Sequence, residues 1–298
     1  MKEKLYRASW RSERAEQKFR TADAARWERA TSSPPDTVDV ATSFGPTRVH
    51  HWPGDGADIV FLHGMGDTSI RWVPYAEALA EHNVYAFDIM GDVGHSRADV
   101  GFTSGGDFGT WLTEAIESLD LAAPHIVGMS LGGYVALSHA VHGGSAASIV
   151  LLDPVGVAKL RVVRFTVWGL KTAIASMAPG RIRHWAARRL GQPLLHDKAD
   201  VKVHMQGMRG KPMKLPPLPV FSDEQLVSIG PPVRLVAGGK SPAFDSADMV
   251  RRIVDVAIDG HARLLPDAGH GLAMTHLDDC VAEIRAALLA ESAGTGAP

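Results

Sequence analysis

The sequence predicts an α/β fold: a mostly parallel, twisted central sheet of about eight strands with helices on both faces. Three observations predict it. Short apolar runs of strand length alternate with longer runs of helical periodicity, turn-forming residues separate them, and one serine stands at a strand–turn–helix junction. Strands that alternate with helices run mostly parallel and are covered on both faces. A chain of 298 residues, 45% of them hydrophobic, can build one such core with an insertion.

The N-terminal part is expected to precede the main fold. Apolar residues recur at helical spacing over residues 6–27, which predicts an amphipathic helix within an N-terminal unit of residues 1–35. A Ser-Ser-Pro-Pro run ends that helix. Two strands, 37–43 and 47–52, then follow around a Gly-Pro turn.

The core is predicted as two stretches, residues 36–154 and 221–292, in which strands and helices alternate. The further predicted strands cover residues 58–62, 84–88, 124–127, 147–152, 232–237 and 262–265. The predicted helices cover residues 70–81, 108–119, the run from 131 onward, 247–256 and 278–290. The last residues, 293–298, are small and Gly-rich, so we expect a flexible tail.

Between residues 155 and 220 the alternation breaks down, and helical runs are followed by a proline-rich stretch. We name these residues the cap segment, because a mainly helical insertion is predicted over the carboxyl ends of the strands, where open sheets of this class bind ligands. The cap segment carries thirteen Lys and Arg residues against two Asp residues. Such charge is typical of a solvated surface, and it also fits attraction of an anionic substrate or an acidic partner. Both interpretations stay open.

Composition and motifs narrow the class of protein. Cys280 is the one cysteine, so no disulfide can form within the chain and we expect a reducing compartment, the cytoplasm. We expect neither a secretory signal nor a membrane span, because the N-terminal stretch is charged and no uncharged run is long enough. No metal or nucleotide motif stands out, so we expect no cofactor, no metal and no nucleic-acid partner. The oligomeric state is left open.

Ser130 is the candidate nucleophile. It is the serine of a Gly-Met-Ser-Leu-Gly run that follows an apolar, strand-like stretch and precedes small residues with helical spacing. This context predicts a nucleophile elbow, a strained turn that exposes the serine hydroxyl at the N-terminus of a helix. Gly128, Gly132 and Gly133 supply the positions without bulk that such a turn needs.

Attack by Ser130 requires a general base and donors for the oxyanion. Among fourteen histidines, His270 is the candidate base, because it lies between glycines just after the last predicted strand. The candidate oxyanion donors are the backbone N–H groups of Leu131, directly after the nucleophile, and of Met65 in a His-Gly-Met-Gly loop. We expect His63 to hold that loop rather than to act as a second base.

Four motifs in this order resemble those of the α/β-hydrolase superfamily, and the resemblance covers roughly residues 37–290. The motifs are His63-Gly64-Met65-Gly66, Asp88-Ile89-Met90-Gly91-Asp92-Val93-Gly94-His95-Ser96, Gly128-Met129-Ser130-Leu131-Gly132 and Gly269-His270. The resemblance to capped, carboxylesterase-like serine hydrolases implies ester hydrolysis in a pocket that the cap segment roofs. It does not identify the substrate, because this fold hosts many chemistries.

The third catalytic residue departs from the family pattern. Family members usually carry an acidic residue shortly after the seventh strand, and Ser241 stands there instead. A hydroxyl can accept a hydrogen bond from histidine, but it cannot stabilise an imidazolium as a carboxylate does. We favour Asp153, because some relatives carry their acid at this earlier strand end. Asp245 is a second candidate although it also looks like a helix N-cap, and the third possibility is that no carboxylate is present. Asp88 is expected to organise a loop.

Three functions remain open from the sequence. The first is a cofactor-independent serine hydrolase that cleaves a carboxylic ester, lactone or thioester through an acyl-enzyme on Ser130, with His270 and Asp153 as partners. The second is a thioesterase or acyltransferase of a biosynthetic pathway, in which the basic cap segment docks an anionic or carrier-bound substrate. The third is a non-catalytic binding protein on the same scaffold, which the serine at position 241 motivates. The first is our prediction.

Overall fold

The computed structural model describes residues 4–294. Its strands are β1 (Asp36–Val40), β2 (Thr47–Trp52), β3 (Asp58–Leu62), β4 (Asn83–Phe87), β5 (His125–Met129), β6 (Ser148–Leu152), β7 (Val233–Gly238) and β8 (Gly260–Leu265). They form one sheet in the order β1-β2-β4-β3-β5-β6-β7-β8. Strand β2 runs antiparallel to β1 and β4, and all other neighbours in the sheet are parallel. The predicted α/β class with a mostly parallel sheet is confirmed.

Helices connect these strands and cover the sheet. They are α1 (Glu13–Ala30), α2 (Val73–Ala78), α3 (Asp107–Glu117), α4 (Leu131–Val141), α5 (Val162–Ser176), α6 (Gly180–Leu190), α7 (Lys198–Gly210), α8 (Asp223–Val227), α9 (Ser246–Val256), α10 (Leu272–Thr275) and α11 (Leu277–Gly294). Two short 3-10 turns, Ser69–Trp72 and Pro193–His196, precede α2 and α7. Within residues 4–294, no helix combines the length and the apolar character that crossing a bilayer would take.

The core explains why the central strands are almost entirely apolar. Successive side chains of a strand point to opposite faces of the sheet, so a strand covered on both faces must be apolar throughout. On one face Val60 and Ile126 pack with residues of α3, α4 and α9. On the other face Phe61 and Val127 pack with residues of α2 and α11. Every residue of β5 and β6 is buried, which fixes the strand ends that carry the candidate site.

The N-terminal helix begins later than the sequence predicts. Helix α1 begins at Glu13 rather than at residue 6, because Ser12 caps it and accepts a hydrogen bond from the N–H of Ala15. Upstream, Tyr6 forms an antiparallel bridge with Phe102, which holds this stretch extended. The spacing of apolar residues over 6–27 therefore indicated the helix but not its first residue.

Helix α1 braces both the cap segment and a loop of the core. Phe19 is buried beside α7, and Arg26 Nε donates to Asp200 Oδ1 of α7 at 3.1 Å. Asp23 Oδ2 lies 3.0 Å from His95 Nε2, in the loop after β4. The N-terminal helix therefore ties the cap segment to the body of the protein.

The cap segment contains α5, α6 and α7, and residues 212–222 form neither helix nor strand. Side chains of α5 and α7 lie opposite the loops that follow β3, β5 and β8. The division of the chain at residues 35, 154, 220 and 292 stays a prediction. Of the predicted tail, residues 293 and 294 belong to α11, and residues 295–298 lie outside the described residues, as do residues 1–3.

The turn at Ser130 depends on two glycines. Ser130 has φ +51° and ψ −110°, a conformation that L-residues rarely adopt. A Cβ on Gly128 would lie 2.4 Å from the carbonyl oxygen of Gly132. A Cβ on Gly132 would lie 2.1 Å from the carbonyl oxygen of Leu62 in β3. Any larger residue would therefore force strand and helix apart at the serine.

Replacing Gly132 by alanine is expected to lower the free energy of unfolding by at least about 2 kcal/mol, because the new methyl group collides with backbone that cannot move away. Chemical denaturation measures the change. Gly180→Ala in α6 is the matched control: its Cβ meets nothing within 4 Å, and its effect should stay within about 1 kcal/mol. Equal denaturation midpoints for the two variants would contradict the account of the turn.

Candidate active site

Three side chains from the ends of three strands meet in one hydrogen-bonded chain. Ser130 follows β5, Asp153 follows β6, and His270 lies in the loop after β8. His270 Nε2 lies 3.0 Å from Ser130 Oγ, and His270 Nδ1 lies 2.6 Å from Asp153 Oδ2. When Nδ1–H donates to the carboxylate, Nε2 keeps a lone pair that can accept the serine proton. The structure thus brings together the three residues that the sequence suggested as nucleophile, base and acid.

The carboxylate of Asp153 is fully buried and held by donors on several sides. Its Oδ1 accepts the backbone N–H of Gly238 at 3.2 Å, and its Oδ2 accepts the hydroxyl of Ser241 at 2.7 Å as well as the His270 proton. The backbone of Asp153 has φ +46°, which turns the side chain toward His270 at the end of the strand. A buried carboxylate needs such donors because it has lost its water.

Ser241, in the usual position of the family's acid, supports Asp153 instead of replacing it. Its hydroxyl donates to the carboxylate that contacts His270. Asp245, the second candidate acid, is engaged elsewhere: it caps α9 by accepting from the N–H of Asp248, and it pairs with Arg161. Of the three possibilities left open by the sequence, the geometry agrees with Asp153.

The loop after β3 runs directly beside the nucleophile. A Cβ on Gly64 would lie 3.5 Å from the Cβ of Ser130. Within the described residues, the backbone N–H groups of Met65 and Leu131 have no hydrogen-bond acceptor. Both groups are therefore available to a substrate oxygen, as the sequence suggested for an oxyanion hole.

Gly66 anchors this loop from two sides. Asp92 accepts the N–H of Gly66 at 2.8 Å through Oδ2 and the N–H of Val93 at 2.7 Å through Oδ1. From α7, His204 Nδ1–H donates to the carbonyl oxygen of Gly66 at 2.7 Å. Gly66 has φ +77°, and a Cβ there would lie 2.9 Å from the sulfur of Met208. The loop after β3, which carries the candidate oxyanion donor Met65, is thus held by both the core and the cap segment; we name it the oxyanion loop.

Burial sets the charge of both anchoring side chains. It raises the pKa of Asp92 to about 6, and hydrogen bonds from Gly66 and Val93 act against that shift. Burial also lowers the pKa of His204 below its usual value, so the imidazole is neutral near pH 7. A neutral His204 has one N–H group, which donates its hydrogen bond to the Gly66 carbonyl oxygen.

His63 and Asp88 hold loops, as the sequence suggested. His63 Nδ1–H donates to the carbonyl oxygen of Gly64 at 2.8 Å, and its Nε2 accepts the N–H of Ile89 at 2.9 Å. Asp88 accepts both the backbone N–H and the hydroxyl of Ser69. Since both ring nitrogens of His63 are occupied, this histidine is not a second base for the nucleophile.

A cavity of about 270 Å³ opens above Ser130 and His270. Its walls are largely apolar side chains, several of them from the cap segment: Met129, Phe165, Trp168, Leu194, Leu195, Val201, Met205, Met208 and Met274. Phe165 and Trp168 of α5 meet the His270 ring edge-on, with ring centroids 5.7 and 6.3 Å apart. The inner face of α5 therefore covers one side of the His270 ring.

Among the residues that the structure describes, the cavity lining offers no free Lys or Arg side chain. Arg71 is the one Lys or Arg side chain among the described lining residues, and it pairs with Asp67 at 2.6 Å. Although burial opposes ionisation, Arg71 and Arg26 hold the pKa of Asp67 well below its usual range. No Lys or Arg of the cap segment lines the cavity among these residues. Nor do the described residues gather three or more His, Cys, Asp or Glu side chains that could hold a metal ion.

Three residues support the candidate site through contacts that were not predicted from the sequence. Asp92 stands within one of the motifs, but nothing in the motif indicated that its carboxylate receives the Gly66 N–H. The position of Ser241 was itself a signal, since a residue at the usual place of the acid reaches the triad. His204 lies in a helical run far from the motifs, and no pattern pointed to it.

Comparisons with known proteins agree with the geometry. A family model described as "Alpha/beta hydrolase family" matches residues 59–287, which is more than half of the chain. Carboxylesterase YbfK of Bacillus subtilis (strain 168) is 29% identical over 258 residues, covering 79% of this chain and 81% of that protein. The uncharacterized carboxylesterase nap of the same organism is 27% identical over 245 residues, covering 79% and 80%.

Solved structures show the same fold. The crystal structure of naproxen esterase (carboxylesterase NP) from Bacillus subtilis matches with a TM-score of 0.78 at 21% identity, covering 92% of this chain and 98% of that one. Carboxylesterase CesB (YbfK) from Bacillus subtilis matches with a TM-score of 0.75 at 21% identity and the same coverage. At this identity the likeness concerns the fold.

Asp153→Asn is expected to lower kcat/KM for a neutral ester about 10³- to 10⁴-fold, because asparagine neither fixes the required tautomer of His270 nor stabilises its imidazolium. Initial rates with a chromogenic ester measure this. Asp245→Asn is the matched control, since asparagine preserves the N-cap of α9 and should leave the rate within about threefold. Equal losses in the two variants would contradict the assignment of the acid.

Asp92→Ala is expected to lower kcat about 10- to 100-fold with little change in KM, because the unpaired N–H of Gly66 lets the oxyanion loop shift. Steady-state kinetics separate the two constants. Asp92→Asn keeps one acceptor oxygen and should recover part of kcat. A loss of thermal stability with unchanged kcat in Asp92→Ala would show that Asp92 supports the fold but not the oxyanion loop.

Proposed function

The chain belongs to the alpha/beta hydrolase family, and we propose that it hydrolyses carboxylic esters through an acyl-enzyme on Ser130. The observation that carries the proposal is the continuous hydrogen-bonded chain from Ser130 Oγ through His270 to Asp153 at the floor of a cavity. The similar Bacillus subtilis proteins that are named carboxylesterases support the same class of reaction.

The reaction proceeds in two halves. His270 Nε2 takes the hydroxyl proton as Ser130 Oγ attacks the ester carbonyl carbon, and Asp153 stabilises the imidazolium that forms. The carbonyl oxygen becomes an oxyanion that the N–H groups of Met65 and Leu131 bind. The tetrahedral intermediate expels the alcohol, which takes its proton from His270. Water, activated by the same histidine, then releases the acid and restores the serine.

The cavity favours an uncharged substrate of modest size. Its volume of about 270 Å³ lies at the small end of ligand pockets, and its walls are mainly apolar. Arg71, the one Lys or Arg side chain among its described lining residues, is already neutralised by Asp67. An anionic acyl group would find no free cation inside, so we propose a neutral, apolar acyl group. The cations of the cap segment do not line the cavity, which removes the main argument for recognition of an anionic or carrier-bound substrate within it.

Two further observations bear on the non-catalytic hypothesis and on the cellular compartment. The non-catalytic hypothesis was motivated by the serine at position 241, and the contact of a different carboxylate, that of Asp153, with His270 speaks against it. Cys280 is buried and carries a free thiol, which fits a reducing compartment such as the cytoplasm.

The test is the loss of ester hydrolysis in Ser130→Ala. We expect the turnover of p-nitrophenyl esters of short acyl groups to fall at least about 10³-fold, since the nucleophile is gone. A fluorophosphonate probe should label the wild-type protein at Ser130, with the site read by peptide mass spectrometry. Ser228→Ala, at the exposed position directly after α8, is the control and should keep both turnover and labelling. Full turnover in Ser130→Ala would refute the proposal.

A further inference from the structure

Helix α5 presents an apolar stripe to solvent on the side away from the cavity. Its residues recur at intervals of four and three, which places them on one face of the helix: Val163, Val167, Leu170, Ile174 and Met177 just beyond its end. Their exposed fractions range from 45% at Val167 to 80% at Met177. None of them lines the cavity, whereas Phe165, Trp168 and Thr172 on the opposite face do. We name these five residues the outer stripe.

The neighbouring helix α6 adds to this surface. Ile182 is 55% exposed and Trp185 is 61% exposed, although both are large apolar side chains. Single exposed apolar residues are common on proteins, but five on one helix face with two more on the neighbouring helix are not. Such a surface marks a place where the protein meets a partner.

The same two helices carry cations that have no acidic partner. No Asp or Glu occurs from residue 155 to residue 196. The side chains of five exposed cations form no ion pair or hydrogen bond with any of the described residues: Arg164, Lys171, Arg181, Arg188 and Arg189. Surface cations elsewhere in the chain, such as Arg48 and Arg285, do have carboxylate partners. The charge of the cap segment is therefore free to attract an anion outside the cavity.

We propose that the outer stripe and these cations dock the protein on the surface of an anionic phospholipid bilayer. Apolar side chains on one side of a helix enter the boundary between headgroups and acyl chains, and Lys and Arg beside them attract acidic headgroups. The docking requires a helix that lies in the plane of the bilayer surface.

Charge and shape favour a lipid bilayer over a second copy of the chain and over another protein as the partner of this surface. A second copy of the chain would bring two sets of unpaired cations face to face, which opposes pairing through this surface. A protein partner would need a groove that matches a protruding helix, whereas a bilayer accepts one without a preformed shape. The large exposed fractions of Val163 and Met177, at the two ends of the stripe, show that it stands clear of its neighbours.

The proposed docking places the roof of the cavity against the lipid. Helix α5 contacts His270 through Phe165 and Trp168 on its inner face and carries the outer stripe on its other face. The width of a single helix, about 10 Å, then separates the catalytic histidine from the bilayer surface. Docking itself does not require hydrolysis, so Ser130→Ala should bind vesicles as the wild type does.

The experiment is co-sedimentation with vesicles of phosphatidylcholine, with and without phosphatidylglycerol as the anionic lipid. We expect binding to the anionic vesicles that is at least about tenfold tighter than to the neutral ones. Binding should weaken strongly in about 1 M KCl, where the Debye length falls to about 3 Å. Leu170→Glu with Ile174→Glu should abolish binding, and Arg181→Gln with Arg188→Gln should weaken it about tenfold or more.

The matched control replaces two exposed apolar residues that lie outside the cap segment. Val254→Glu with Ile258→Glu should leave vesicle binding unchanged. The Leu170/Ile174, Arg181/Arg188 and Val254/Ile258 variants should hydrolyse a water-soluble ester at the wild-type rate, which shows that they fold. Absence of binding to anionic vesicles would overturn the proposal, as would equal binding to neutral ones. A dimer that Leu170→Glu dissociates, without vesicle binding, would assign the surface to a second copy of the chain.

Discussion

The hydrogen bond between Asp153 and His270 is the interaction on which the candidate site depends. It sets the tautomer and direction of the imidazole, and it works because a fully buried carboxylate meets an N–H without competing water. Gly238 and Ser241 hold that carboxylate in place. This candidate acid stands at the end of β6 rather than β7, and Ser241 from the loop after β7 donates a hydrogen bond to it. Residues that follow two neighbouring strands, β6 and β7, thus together place a carboxylate against His270.

The cap segment takes part in the site as well as covering it. Helix α7 donates a hydrogen bond to Gly66 through His204, while Asp92 holds the same residue from the core. Helix α1 in turn pairs with α7 through Arg26 and Asp200. A displacement of the cap segment would therefore reach the loop of Gly66 and the cavity together. The inner face of α5 serves the cavity, and its outer face is free for the proposed contact with lipid.

Much of the fold and of the candidate site could be predicted from the sequence, and the parts that could not be predicted have physical reasons. Short apolar runs predicted the strands to within a few residues, because a parallel sheet that is covered on both faces requires strands that are apolar throughout. The glycines around Ser130 identified the elbow, because close backbone approach excludes a Cβ. The predicted start of α1 was wrong, because the N-cap at Ser12 decides where the helix begins and the spacing of apolar residues does not show it. The supporting roles of Asp92 and His204 depend on contacts between distant parts of the chain, which no local pattern encodes.

The most direct test of the account is the proton NMR signal of the hydrogen on His270 Nδ1. A proton held between an imidazole and a buried carboxylate is strongly deshielded and protected from exchange, so it should give a resonance far downfield of the backbone amides. This resonance should be present in the wild type and in Asp245→Asn, and absent in Asp153→Asn. A resonance that survives in Asp153→Asn and disappears in Asp245→Asn would contradict it.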